Sequence, residues 1–329
     1  MHPAVVVVGS YNQDYAWRSD CLPQPGETRR ALGFATGPGG KGYNQAMACH
    51  RQGVPTCLIA ALGDDTLAGL ARHHAEHEGL ACRWQIVTGA ATGSACVLID
   101  ADGQNRILVH LAANERLDAA FVRAARADFA SARVVLAQLE TGIAPVRAAL
   151  CLARDHGALA LLNPAPVHAE LDHMLLASCD LVTPNETEFV ALLSRLDGTC
   201  LDPGVLADGT DAELHALARR LPVPTVVITL GARGCFVSHA GSARLRGADA
   251  VAYRVPAFPA RSVDSSGAGD AFSGALAAEL ARAAGGTFAM AVAWASAAAG
   301  LSTERVGAAS AMPTRDEVAA RRHATSVHP

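Results

Sequence analysis

The chain has 329 residues, half of them hydrophobic and 18% charged, with a formal charge of −4. That is enough apolar material for one large core or two smaller ones, and the slightly acidic balance excludes a general nucleic-acid surface. No apolar run reaches membrane-spanning length, and Val5 to Val8 is too short for a signal-peptide core. Nine cysteines stand singly, none in a Cys-x-x-Cys pair, and an odd count closes no disulfide framework. The expectation is a cytoplasmic protein with reduced thiols and no membrane or nucleic-acid partner.

Ala4 to Gly9 is a continuous apolar run that predicts a buried strand. Residues 11–37, with Pro23, Pro25 and Gly26, predict short strands and turns. A glycine loop, Gly39 to Gly42, leads into a helix from Asn44 to Gln52 that Gly53 ends. Thr56 to Leu62 reads as a strand and Asp65 to Glu78 as a helix. Residues 93–100 and 105–111 read as two strands around a hairpin turn at Ala101-Asp102-Gly103. From there the alternation is regular. Helices are predicted over Leu117 to Ala130, Pro145 to His156, Glu186 to Leu193, Asp211 to Leu221, 270–284, 287–301 and 314–323. Strands are predicted over Val134 to Leu139, Leu159 to Leu162, Leu181 to Thr183 and Thr225 to Thr229, with hairpin-like β structure near 236–237 and 253–255 and a surface loop over 197–211.

Strands alternating with helices predict an α/β fold with a mainly parallel central sheet flanked by helices on both faces. The β segments at 11–37 and 93–111 do not fit the alternation. They are placed together as a small β lid on a single domain spanning 1–329.

Several strand ends carry polar groups. Asn12 and Asp14 follow the first strand at alternate positions and can point to one side, where they could hold vicinal hydroxyls or form an Asx turn. Strand ends at Gln138-Leu139-Glu140, Asn163-Pro164 and Thr183-Pro184-Asn185-Glu186-Thr187-Glu188 converge in a parallel sheet on one crevice. Asn185 and Glu188 suit water-mediated Mg²⁺ beside a triphosphate, or simply a favourable helix start. Thr229-Leu230-Gly231-Ala232-Arg233-Gly234 is another strand-end glycine turn. The stretch Asp264-Ser-Ser-Gly267-Ala-Gly269-Asp270 opens onto a helix, offering free N–H groups and the positive end of a helix dipole to an anion. Asp270 is placed there to take a proton from an attacking hydroxyl. A helix cap after a glycine turn fits the same residues.

Other patterns carry less. Gly37 to Gly42 matches Gly-x-Gly-x-x-Gly, but it does not follow the first strand and Pro38 occupies the tight turn. His73-His-Ala-Glu76-His77 matches a metalloprotease pattern with no third ligand, and a solvated helix face accounts for it better.

Two separated patterns, Gly39-Gly40-Lys41-Gly42-x-Asn44-Gln45-Ala46 and Asp264-Ser-Ser-Gly267-Ala-Gly269-Asp270-x-x-x-Gly274, resemble the PfkB-type sugar kinase (ribokinase) family. Between them Gly9-Ser10-x-Asn12-x-Asp14, Gln138-Leu139-Glu140, Asn163-Pro-Ala-Pro166 and Thr229-Leu230-Gly231 stand in the expected order, so the resemblance covers roughly residues 4–313. It implies a ribokinase-like fold and ATP-dependent phosphorylation of a sugar primary hydroxyl, foremost that of D-ribose, with another sugar or a nucleoside as alternative acceptor and a non-catalytic sugar sensor as a further one. It implies Asp270 as base and Gly267, Ala268 and Gly269 as anion hole. Asn12, Asp14, Gly40, Lys41, Asn44, Glu140 and Asp270 would hold the sugar. Asn185, Glu188, Thr229, Gly231, Gly234, Gly269 and Ser296 would face ATP or its Mg²⁺. Asp264, Ser266, Ser302, Arg305 and Gly307 would surround an activating K⁺, and the lid would pair two copies as a homodimer.

The chain also departs from the family pattern. Tyr43 stands beside the sugar loop, and Tyr15 and Trp17 are bulky for the lid. Ser296 replaces a residue that is often Asn or His, and Ala311 replaces a frequent serine ligand beside Ser310.

Overall fold

The computed structural model describes residues 2–101, 105–282 and 285–327. In chain order the elements are β1 (Val5–Val8), β2 (Asn12–Arg18), β3 (Gly33–Gly39), α1 (Lys41–Arg51), β4 (Thr56–Gly63), α2 (Thr66–Glu78), β5 (Ala81–Val87), β6 (Ser94–Ile99), β7 (Asn105–His110), α3 (Ala119–Ala124), α4 (Arg126–Phe129), β8 (Val134–Ala137), α5 (Ile143–Asp155), β9 (Leu159–Leu162) and α6 (His173–Ala177). The rest are β10 (Leu181–Val182), α7 (Glu186–Asp197), α8 (Val205–Asp208), α9 (Asp211–Ala218), β11 (Thr225–Thr229), β12 (Cys235–His239), β13 (Ala252–Val255), α10 (Ala268–Arg282), α11 (Phe288–Ser302) and α12 (Arg315–Val327).

Nine strands form one sheet in the order β13-β12-β11-β10-β9-β8-β1-β4-β5, parallel from β11 to β5 and antiparallel at β12 and β13. The four valines of β1 are fully buried between β8 and β4, because both sheet faces are covered and a central strand must be apolar throughout. Val5 and Val7 pack toward α1, α2, α10 and α11, whereas Val6 and Val8 pack toward α3, α5, α7 and α9. The chain leaves β1 for β4 on one side and later returns to β8 on the other. The topological switch therefore lies beside the C-terminal end of β1, where open α/β sheets form their crevice.

A second sheet, ordered β3-β2-β6-β7, grows directly from the end of β1. Its strands come from the two segments that the sequence sets apart from the alternation.

The details differ in places. β5 was not anticipated: it is an edge strand whose Arg83 reaches solvent, so it lacks the apolar run of its neighbours. The helix predicted over Leu117 to Ala130 breaks at Ala125 into α3 and α4. The short α6 and α8 were also unforeseen. Both glycine-led helices start earlier than predicted, α1 at Lys41 and α10 at Ala268, each behind a glycine with positive φ. The turn at Ala101-Asp102-Gly103 and the end of the helix predicted to 284 lie outside the described residues.

Candidate active site

The site is built on the N-termini of α1 and α10. Gly40, with φ 86°, turns the chain from β3 into α1, and a Cβ on it would lie 2.7 Å from the Asn12 backbone nitrogen. A Cβ on Gly42 would lie 2.3 Å from the Ser10 nitrogen, so only glycine lets α1 abut the end of β1. This approach gathers three groups. The Lys41 N–H donates to Glu140 Oε2 at 2.9 Å, Ser10 Oγ donates to the same oxygen at 2.5 Å, and the Gly42 N–H donates to Ser10 Oγ at 3.2 Å.

Asp270 lies in the first turn of α10 and is buried. Its Oδ2 accepts from Asn44 Nδ2 at 2.9 Å and its Oδ1 from Gln45 Nε2 at 2.8 Å. The Ala268 N–H is spent on Ser265 O at 3.2 Å and that of Ala271 on Gly267 O. Among the described residues, the N–H groups of Gly267, Gly269 and Asp270 have no acceptor. The open donors beside the carboxylate therefore include Asp270's own backbone in place of Ala268's.

Two joined clefts meet at this turn. The smaller, ≈ 150 Å³, is lined by Lys41, Asn163, Glu188 and the 267–270 turn. The larger, ≈ 680 Å³, runs outward past Thr229, Gly231, Gly234, Phe258, Ser296 and Thr303. Asn185, Thr229, Ser265, Ala268 and Gly269 line both. A long ligand could thus lie in the outer cleft with one charged end at the foot of α10, next to Asp270. That is the arrangement a phosphoryl donor needs.

Residues 3–315 match the family described as pfkB family carbohydrate kinase. The chain belongs to that family. Among its relatives, the ribokinase of Haemophilus influenzae is 31% identical over 318 residues, covering 96% of this chain and 97% of that protein. A solved ribokinase structure from Giardia lamblia superposes with a TM-score of 0.85 at 28% identity, covering 99% of this chain and all of the other. An Arabidopsis thaliana ribokinase complexed with ribose and ATP superposes with a TM-score of 0.80 at 28% identity, over 98% of this chain and 99% of that one. The ribokinase-like fold expected from the sequence is borne out.

The charges of this carbohydrate-kinase site are tightly coupled. Lys41 is half-buried, and the desolvation opposes its charge, but Asp270, Glu140 and Glu188 around it raise its pKa above the ordinary lysine value. Asp14 is pushed up to about 7 by burial and then by Glu140 and Asp270. Glu188 is also raised, chiefly by burial and further by Asp270, against the lowering effects of the Asn185 N–H and Lys41. Asn12 Oδ1 is occupied by Asn114 Nδ2 at 3.0 Å, so its own amide hydrogens remain the groups it can offer.

Asn185 and Glu188 realise the helix-start reading of their sequence. They form a capping box on α7, with the Asn185 N–H on Glu188 Oε2 at 2.9 Å and the Glu188 N–H on Asn185 Oδ1 at 2.8 Å, and they line the cleft as well. Ser296 lines the outer cleft, but its hydroxyl is committed to Pro256 O and the Phe258 N–H, each at 3.3 Å.

The residues assigned to a cation lie on two loops stitched together. Asp264 accepts from the Ser266 and Gly307 N–H groups, each at 2.9 Å, and these bonds outweigh its burial and hold its carboxyl below the usual range. Ser302 is buried with its hydroxyl on Ala299 O at 2.8 Å, and the Arg305 side chain turns away to pair with Glu317. Among the described residues no cluster of His, Cys, Asp or Glu could hold a metal ion by itself, and His73 and His77 stand on an exposed face of α2.

Three aromatic departures are resolved by geometry. Tyr43 is fully buried, its ring edge-on to Tyr11 at 5.3 Å, and it lines neither cleft. Tyr15 and Trp17 are an odd number of residues from Asp14 on β2, so they face away from it; Tyr15 stacks with Trp17 and Phe34, and Trp17 packs tilted against Phe34 at 5.2 Å. Sequence reasoning gave no role to Ser10, Gln45, Asn114 or Gln138, and none to Asn163 beyond its strand end. Ser10, Gln45, Gln138 and Asn163 do stand within the motif stretches of the sequence, and Asn114 carried no signal there.

Proposed function

We propose that the chain is a ribokinase, transferring the terminal phosphoryl group of ATP to the primary hydroxyl, O5, of D-ribose. The observation that carries this reading is the position of Asp270: a buried carboxylate that lines the smaller cleft next to Gly269, where the two clefts meet, beside the Gly267 and Gly269 N–H groups that have no acceptor among the described residues and within the field of Lys41. Its support from relatives is the ribokinase likeness over nearly the whole chain.

In this reading Asn12, Asp14, Gly40, Lys41, Asn44 and Glu140 hold the sugar and Asp270 faces its primary hydroxyl. Asp270 takes the hydroxyl proton while the oxygen forms a bond to the γ-phosphorus and the bond to the β–γ bridging oxygen breaks, releasing ADP. The positive end of α10 and its open N–H groups at Gly267, Gly269 and Asp270 stabilise the charge on the transferred group. Thr229, Gly231, Gly234, Gly269 and Ser296 face the nucleotide.

Asn185 and Glu188 fit a magnesium site, since Glu188 Oε1 makes no hydrogen bond among the described residues and lies beside the phosphate turn. Mg²⁺ bound there supplies neutralisation of phosphate charge. Asp264, kept ionised, suits a monovalent cation held with the Ser266, Ser302, Arg305 and Gly307 backbone, which we read as K⁺. The small sheet is read as a lid that excludes water on closing. Its outer face carries Tyr15, Trp17 and Phe34, and the exposed apolar residues Phe34 and Leu108 support pairing of two copies through it. Among the described residues no helix is long and apolar enough to cross a membrane, and all nine cysteines are free. The free thiols support a cytoplasmic setting.

ADP release over ribose, 2-deoxyribose, fructose, adenosine and pseudouridine, with and without potassium, tests the proposal. The expected result is highest kcat/KM on ribose and stimulation by potassium. Turnover of a nucleoside with none of ribose overturns it. An aromatic ring beside the sugar could stack on a nucleoside base, but Tyr43 is buried and lines neither cleft, and Trp17 packs with Tyr15 and Phe34, which supports a free sugar as acceptor.

A further inference from the structure

Two neighbouring amides of α1 reach Asp270, and they differ in kind. Asn44 leaves its Oδ1 unpaired. Gln45 is fully buried, lines neither cleft and has its side-chain amide fully engaged. Its Nε2 carries two hydrogens, one donated to Asp270 Oδ1 at 2.8 Å and one to Asn163 Oδ1 at 2.9 Å. Its Oε1 accepts from Gln138 Nε2 at 2.5 Å.

Chemistry allows no other orientation. A carboxylate oxygen only accepts, and Asn163 gives its own Nδ2 hydrogen to Thr183 O at 2.9 Å, so its Oδ1 faces Gln45 as an acceptor too. Turning the Gln45 amide over would set its oxygen against two acceptors. Beyond Thr183 the chain of contacts continues from Thr183 Oγ1 to Ser273 Oγ at 3.0 Å, back on α10 one turn after Asp270. Gln45 therefore braces Asp270 against β8, β9 and β10 together.

We propose that Gln45 is the positioning residue for the base: from a fully buried position it holds Oδ1 of Asp270 with a donor that cannot accept the transferred proton, and together with the Asn44 donor on Oδ2 it sets the carboxylate toward the sugar hydroxyl in a single orientation. This rests on the reading of Asp270 as the base. A group that only filled space would be replaceable by methionine, which has nearly the same shape and no N–H. A group that donates to the carboxylate favours its charged form, and removing the donor shifts the carboxyl titration upward.

The test is steady-state kinetics of Gln45→Met, Gln45→Glu and Gln138→Leu on ribose and ATP, with kcat measured against pH and Tm recorded. For Gln45→Met, kcat is expected to fall about ten- to a hundredfold while the ribose KM changes less than about threefold. The midpoint of the acid limb of its kcat–pH profile rises by about one unit. Gln45→Glu, which sets a second carboxyl against Asp270, moves that midpoint up further and gives the same reading should the methionine variant not fold. Gln138→Leu frees the Gln45 amide and produces a smaller fall in kcat in the same direction. A folded Gln45→Met with near-native kcat overturns the proposal, and so does a loss of rate accompanied by a lower Tm and an unmoved pH midpoint. Asp270→Asn is run alongside: if that variant keeps native turnover, it is the assignment of the base that fails, whatever the Gln45 variants do.

Discussion

Asn44 Nδ2 donates to Asp270 Oδ2 at 2.9 Å across 226 residues of sequence. The contact joins the N-terminus of α1, whose loop is proposed to hold the sugar, to the N-terminus of α10, whose turn is proposed to hold the phosphate. Both helix starts depend on a positive-φ glycine just before them, Gly40 and Gly267. One carboxylate thus links the two helix starts.

Asp270→Asn keeps the size of the side chain and removes its ability to take a proton. We expect kcat to fall by about 10²–10⁴-fold. Dissociation constants for ribose and ATP, measured by calorimetry, should change far less than kcat, although asparagine offers one acceptor oxygen where Asp270 offers two, so one of the bonds from Asn44 and Gln45 is lost as well.

Desolvation of the half-buried Asp14, and then the charges of Glu140 and Asp270, push its pKa up to about 7 in the folded protein. In the proposed sugar site the carboxylate is a charged acceptor above that pH, and below it the protonated carboxyl is a weaker one. The ribose KM should therefore fall as pH rises from 6 to 8, and Asp14→Asn should flatten that dependence. The same shift bears on stability with the opposite sense. Between the ordinary value of 3.8 and about 7 the folded state holds more protons than the unfolded one, so this group's contribution declines as pH rises through that window. Asp14→Asn should raise Tm in sugar-free protein at pH 8, with the gap closing toward pH 5. A Tm gain that is independent of pH would refute the assignment.

His239 is buried, with Nδ1 paired to Thr225 Oγ1 at 3.0 Å and Nε2 without a partner. Burial pushes its pKa down to about 4, Asp249 opposing and Arg219 and Arg246 assisting. The unfolded histidine takes a proton below about 6.5 while the folded one stays neutral to about 4. Stability should therefore drop as pH falls across that window, by roughly 2–4 kcal/mol from this residue. In His239→Phe, set beside Phe288 and Tyr253, denaturant melts between pH 7 and 4.5 should lose less of their midpoint than the native protein does.

Gly42→Ala places a Cβ 2.3 Å from the Ser10 nitrogen and 2.6 Å from the Gly9 carbonyl carbon, and backbone cannot step aside as a side chain can. We expect a loss of about 1–3 kcal/mol in stability. Displacing α1 also displaces Lys41 from Glu140, so the ribose KM should rise roughly tenfold, the equivalent of about 1.4 kcal/mol. An alanine variant with native Tm and KM would show that α1 does not need this contact.

What the chain determined locally was the frame. Val5 to Val8, Leu159 to Leu162 and Thr225 to Thr229 are legible because a strand buried on both faces must be apolar throughout. The glycine turns at 39–42 and 267–269 are legible because Gly40 and Gly267 need positive φ and Gly42 lies against the Ser10 backbone, conditions that favour glycine. Those local signals sufficed to place Asp270, Lys41, Asn185 and Glu188 at strand and helix ends facing one crevice. They did not reach β5, whose polar edge-strand sequence resembles a loop. Nor did they show that Tyr43 points into the core: it follows Lys41 by two residues, and a helix turns about 100° per residue, so neighbours in sequence face different surroundings. The bracing of Asp270 by Gln45, and of Gln45 by Gln138 and Asn163, was decided by tertiary structure alone. An amide's partner is chosen by distance and direction across 93, 118 and 225 residues of chain, and no local pattern encodes which side chain will arrive there.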